Sequence, residues 1–138
     1  MKAFLILLFI PLMSYTQHLD KHQWKDRLLL VIIDSYENTS LQKQLVLFKE
    51  TEKELIERKL VVYHITPSDY KEGLHSSKPL KGSSLYQKYN PEQKDFKLIL
   101  IGLDGGVKES YFSPTPPSEI YGVIDQMPMR QQELRNKP

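Results

Sequence analysis

Two groups of residues in this sequence have the types and spacing to do chemistry. The first is the run Asp34-Ser35-Tyr36-Glu37-Asn38-Thr39-Ser40. Asp34 and Glu37 can act as acid and base or bind a cation. Tyr36 can join them in a hydrolase-type reaction that needs no thiol. The same residue types are the usual occupants of turns and helix caps, so a polar turn is the competing reading. The second group is spread along the chain: Arg27, Arg58, Asp104, Lys108, Asp125 and Arg130. If the fold gathers them, the guanidinium groups either tie elements together through ion pairs or line an anion- or partner-docking patch.

Other chemistry is narrowed by composition. The chain has no cysteine, which excludes thiol redox catalysis and any disulfide. The residues before the third apolar run, Lys94-Asp95-Phe96, also lack a proline that could hold substrate. Of the four histidines, His18 and His22 stand at i, i+4, a spacing that can chelate a metal on a helix. They lie in an N-terminal segment expected to be mobile. His64 falls on a strand face and His75 in a long polar stretch, so no metal site and no cofactor is expected. Asp104-Gly105-Gly106 lacks the repeated ligands of a calcium loop and the Gly-Lys-Ser/Thr of a phosphate loop, and reads as a turn. Tyr86, Tyr89, Tyr111 and Tyr121 read as core edges or hydrogen-bond anchors.

The N-terminus reads as a targeting segment. Lys2 is a minimal positive region, Ala3 to Met13 is apolar, and Ser14-Tyr15-Thr16 offers small residues before Gln17. This is the pattern of a secretory signal over residues 1–17, shorter than a membrane span. Export to the periplasm or the extracellular space is the expectation, with no stable membrane span after cleavage. Residues 18–138 form one domain with a core over about 24–130. Without Lys2 there are 18 basic and 17 acidic residues, which is no electrostatic footprint for nucleic acid.

Elements that can position the two groups are legible. Leu28 to Ile33 is a continuous apolar run, the pattern of a strand buried on both faces. Thr39 with Gln42 predicts a capping box and a helix to about Lys59, with Leu41, Leu45, Phe48, Leu55 and Ile56 on its apolar stripe. Leu60 to Thr66 is a second strand stopped by Pro67. Ser68 to Ser84 reads as a loop, and Ser84 to Tyr89 as a short helix. Phe96 to Leu103 and Val107 to Phe112 form a hairpin about Asp104-Gly105-Gly106. Thr115 is placed to cap a last helix carrying Ile120, Val123, Ile124 and Met127, closed by Met-Pro-Met-Arg.

The order β-α-β, connection, β-β-α predicts a thioredoxin-like α/β sandwich. A flavodoxin-like sheet would need a crossover helix where this chain has a tight hairpin. In the thioredoxin-like arrangement the Asp34–Ser40 loop lies at the pole where enzymes of that fold place their chemistry. The opposite pole gathers Trp24, Arg27, Glu57, Arg58, Asp104, Lys108, Asp125 and Arg130. Since no disulfide is available, a structural role for that cluster is the first expectation and an anion or partner site the second.

Four segments, Trp24-x-x-Arg27-Leu28-Leu29, Glu57-Arg58, Leu100-Ile101-Gly102-x-Asp104-Gly105-Gly106-Val107-Lys108 and Ile124-Asp125-x-Met127-Pro128-Met129-Arg130-x-x-Glu133, resemble an exported family of unknown function. It includes short bacterial secreted proteins and a domain of the vertebrate Equarin and sushi-repeat extracellular proteins, the P-DUDES group. Leu103 and Lys59 depart from its pattern, which has Lys and Asp there. The resemblance implies a peroxiredoxin-related fold without the catalytic cysteine, and no known reaction. The reading is an exported, non-redox binding or accessory protein whose partner is an envelope or matrix protein or a polysaccharide. The alternative is a non-thiol, hydrolase-type enzyme using the Asp34, Tyr36 and Glu37 loop.

Overall fold

The computed structural model describes residues 19–138. The expected signal segment and His18 lie outside the described residues. The elements are β1 (Arg27–Ile33), α1 (Thr39–Glu50), α2 (Glu52–Glu57), β2 (Leu60–Ile65), β3 (Asp69–Glu72), β4 (Leu80–Lys81), α3 (Ser84–Tyr89), β5 (Phe96–Ile101), β6 (Val107–Tyr111), α4 (Pro117–Asp125) and α5 (Pro128–Arg135). The strands form one sheet in the order β4-β3-β2-β1-β5-β6. β1 runs parallel to β2 and antiparallel to β5, and β5 turns back into β6.

All seven residues of β1 are buried, because both faces of the central strand are covered. Leu29, Val31 and Ile33 pack with Leu41, Leu45 and Phe48 of α1 and Ile120 and Ile124 of α4. Leu28, Leu30 and Ile32 face the other layer, with Leu19, Tyr63 and Leu85. The period of two along an unbroken apolar run is what such a strand requires. Burying each of these side chains stabilises the fold by about 1.5–3 kcal/mol before entropy is counted. Gly105 takes φ +84° in the β5–β6 turn, where a side chain would be strained.

Several local expectations are corrected. The helix predicted over 39–59 is two, broken at Thr51 (φ −119°, ψ 26°). The Thr51 hydroxyl bonds back to the Leu47 carbonyl and also meets the Tyr121 hydroxyl, a side-chain bond that competes with the helix ladder. Ile56 is then exposed while Leu55 is buried. The N-cap is Asn38, whose side-chain Oδ1 accepts from the Ser40 and Leu41 amides, and the Gln42 side chain reaches the Tyr36 carbonyl instead of closing a capping box.

The segment 68–84 holds two short strands rather than loop alone. β3 carries one buried residue, Tyr70, too little apolar periodicity to register in the sequence. At the C-terminus, Met-Pro-Met-Arg opens a second helix instead of closing the first, with Pro128 in its first turn. Thr115 does not cap α4, whose N-cap is Pro116. It is clasped by buried Gln44, which donates to its carbonyl at 2.9 Å and accepts from its amide at 2.8 Å.

Candidate functional site: the arginine pole

The start of β1, the α2–β2 connection, the β5–β6 turn and α4–α5 meet at one end of the sheet. They bring Arg27, Arg58, Arg130 and Asp125 into one cluster, with Asp104 and Lys108 beside it across a cleft. Trp24, 61% exposed, joins the same end by donating its amide to the Leu103 carbonyl. The sequence reading omitted Glu133 from its site residues, yet it links two of the arginines. Its position in the terminal motif was the available signal.

Asp125 is the hub. Arg58 grips it through Nε and Nη2 at 3.0 and 2.8 Å, and Arg130 Nε reaches the same carboxylate at 3.1 Å. Arg130 is 2% exposed; its Nη1 donates to Glu133 at 3.3 Å and its Nη2 to Glu57 at 3.4 Å. Lys137 also pairs with Glu57. Burial pushes the Asp125 carboxyl upward, but the bonds from Arg58 and Arg130 outweigh it and hold the group below the usual carboxylate range. Arg58 also stacks on Tyr121, 4.7 Å from the ring centroid. Such a network locks α4 and α5 to the connection before β2, a cross-link made without a disulfide.

Arg27 is different. It is wholly buried, and its Nη1 donates to the Arg58 carbonyl at 3.0 Å and lies 3.2 Å from Glu133. Its Nε and Nη2 have no hydrogen-bond partner. These two N–H groups form the side-on edge of the guanidinium, the edge by which Arg58 holds Asp125. Each unpaired buried donor costs about 1–3 kcal/mol.

Arg27 also lines a cleft of about 310 Å³, walled by Leu103, Lys108, Met127, Pro128 and Met129. Lys108 pairs with Asp104 at 2.8 Å. That bond, together with the Gly106 amide, lowers the Asp104 pKa. The stem of Lys108 lies across Gly102, where an added Cβ would come within 2.6 Å of Lys108 Cε.

The other pole is arranged otherwise. Asp34 accepts from the Ser35 amide at 2.9 Å and from Asn38 Nδ2 at 2.8 Å, and its pKa is lowered, chiefly by Asn38. Tyr36 donates to Asp69 at 2.6 Å, and Thr66 donates to the same carboxylate oxygen at 2.8 Å. Burial first, then Asp69, raises the Tyr36 phenol above its ordinary value. Glu37 is exposed at the edge of this shallow groove. Asp34 and Tyr36 are thus engaged in turn and cap contacts.

The structure also separates the histidines. His22 is buried in a short turn over Asp20–His22, not in a loose tail. Its Nδ1 lies 2.7 Å from Asp26 and its Nε2 2.6 Å from the Tyr63 hydroxyl. His64 is 4% exposed on β2, its Nε2 is unpartnered, and burial, followed by Lys71 and Lys49, lowers its pKa to about 4. Among the described residues no group of three His, Asp or Glu is placed to hold a metal ion. No helix among them is long and apolar enough to cross a membrane.

A sheet with parallel β1 and β2, antiparallel β5 and β6, and helices on both faces is the thioredoxin-like fold. The structure is similar to that of reduced 2-Cys peroxiredoxin from Plasmodium vivax, with a TM-score of 0.59 and 14% identity over 84% of each chain. At that identity the likeness is one of fold, and the present chain has no cysteine. The chain belongs to the family described as Domain of unknown function (DUF4174), whose profile matches residues 18–133. Among curated proteins none matches.

Proposed function

We propose that this protein is an exported, non-redox member of the thioredoxin-like fold that works by binding, and that its binding surface is the arginine pole. The observation that carries this reading is the cleft beside Arg27, walled by Met127, Pro128 and Met129, with Met129 exposed. Apolar side chains left open around a few polar groups are the usual make-up of a recognition site. Asp34 and Tyr36, which a hydrolase-type reaction would need free, are each held by a neighbour. Export rests on the pattern of residues 1–17, and membership of the P-DUDES group rests on the Gly-Leu-Asp-Gly-Gly-Val-Lys and Met-Pro-Met-Arg segments. The partner class is an envelope or matrix protein or a polysaccharide.

The test is capture from an envelope extract with three baits: wild type, Met129→Glu and Asp34→Ala. A species retained by wild type and Asp34→Ala but lost with Met129→Glu supports the reading. Loss with Asp34→Ala alone moves the site to the other pole and overturns it.

A further inference from the structure

We infer that the cleft at the arginine pole takes a carboxylate bearing an apolar substituent, seated on the Nε–Nη2 edge of Arg27. This deepens the proposal above and rests on the pole being the binding surface.

Three observations converge. The Nε and Nη2 of Arg27 are buried and unpaired, while its Nη1 is taken by Glu133 and the Arg58 carbonyl. The free edge therefore presents two parallel donors, the geometry that matches the two oxygens of a carboxylate. Arg58 and Asp125 show the same pairing inside this protein, at 3.0 and 2.8 Å. The cleft walls beside Arg27 are apolar: Leu103, Met127, Pro128 and Met129. They fit the carbon chain of an acid better than a strongly hydrated dianion.

Entry requires the walls to move, because the two donors are closed from solvent. Methionine is suited to that, with an unbranched side chain of several rotatable bonds. Lys108 and Asp104 pair at the rim at 2.8 Å, so between them they add no net charge at the mouth. The recognised group is a carboxylate, whether on a small free acid or at the C-terminus of a peptide.

The experiment uses the methionines. Met127 and Met129 both line the cleft, and the other two, Met1 and Met13, lie in the N-terminal segment. Protein labelled at the methionine methyls is titrated, with the six-carbon probes taken to about 50 mM, a range suited to a ligand of under ten heavy atoms. The probes are hexanoate, hexanamide, N-acetyl-trileucine and its C-terminal amide. Met127→Leu and Met129→Leu assign the signals.

Hexanoate or the peptide acid should shift both methyls saturably, and the matching amide should shift them by less than about a tenth as much. The tighter of the two acids identifies the source. Arg27→Lys, which keeps the charge but not the fork, should weaken the response at least about tenfold.

Equal shifts from acid and amide, or no shift from either acid, overturn the inference. If Arg27→Lys fails to fold, the acid–amide contrast in the wild type decides alone. Capture that still depends on Met129 without any carboxylate response would sink this inference and leave the binding reading standing. Loss of both would sink both.

Discussion

The two ends of the sheet handle their polar side chains in opposite ways. At the Asp34–Ser40 end the acceptors and donors are matched: Asp34 with Asn38, Asn38 with the first turn of α1, Tyr36 with Asp69. At the arginine end the contacts span the chain, joining Arg58 to Asp125 and Arg27 to Glu133. One arginine is left with two of its three guanidinium nitrogens unused. The end that resembles an enzyme's working face by position is closed on itself. The end that holds the termini of several elements together leaves the Nε and Nη2 of Arg27 without a hydrogen-bond partner.

The largest expected effect comes from breaking the network at its most connected point. Arg130→Met removes one partner each from Asp125, Glu133 and Glu57, which keep Arg58, Arg27 and Lys137, and should cost about 2–3 kcal/mol in urea unfolding, below the figure for stranding a fully buried charge. Arg27→Met should cost at least about 1 kcal/mol less than Arg130→Met, because two of the Arg27 donors are unpaired already. If the two variants unfold at the same urea concentration, with equal slopes, the distinction between the two arginines fails.

Acid should separate the two ends by pH. His64 sits near the Asp34 end and is held neutral by burial, with a folded pKa of about 4 against 6.5 for the free side chain. The unfolded chain therefore binds a proton that the native state refuses as pH falls from 6.5 to about 4. Stability should drop by about 2–3 kcal/mol across that window. His64→Leu should flatten that part of a stability-versus-pH curve while leaving the rest. Asp125 carries the same sign at lower pH, since its folded pKa is likewise depressed. Its contribution is present above the unfolded value of 3.8 and is lost only as pH falls through the lower folded value. The arginine end should thus fail after the His64 step. A single transition shared by wild type and His64→Leu would contradict this order.

A smaller effect belongs to the cap. Asn38→Ala should cost about 1 kcal/mol, because it unpairs the Ser40 and Leu41 amides. Asp34→Ala, whose partners stay near solvent, should cost less than Asn38→Ala in the same thermal melt.

Much of the frame was readable from residue order. Leu28–Ile33 and Phe96–Leu103 announce buried strands because their apolar runs are unbroken. Asp104-Gly105-Gly106 announces the turn because only glycine takes its φ easily. The gathering of Arg27, Arg58, Asp125 and Arg130 followed from topology once the strand directions were assigned. The helix break at Thr51 was not readable, since it depends on Tyr121, seventy residues away. β3 and β4 were missed because one tyrosine among charged residues makes no period. The state of Arg27 was hidden for a similar reason. Which guanidinium edge stays empty is decided by how far Glu133 and Asp125 reach, not by the presence of an arginine.

The claim that binding belongs to the arginine end is tested most directly by hydrogen exchange with and without hexanoate, read by mass spectrometry across the chain. The account predicts added protection confined to residues 102–108 and 125–133, absent with hexanamide. Protection confined to residues 34–40 and 66–69 would contradict it.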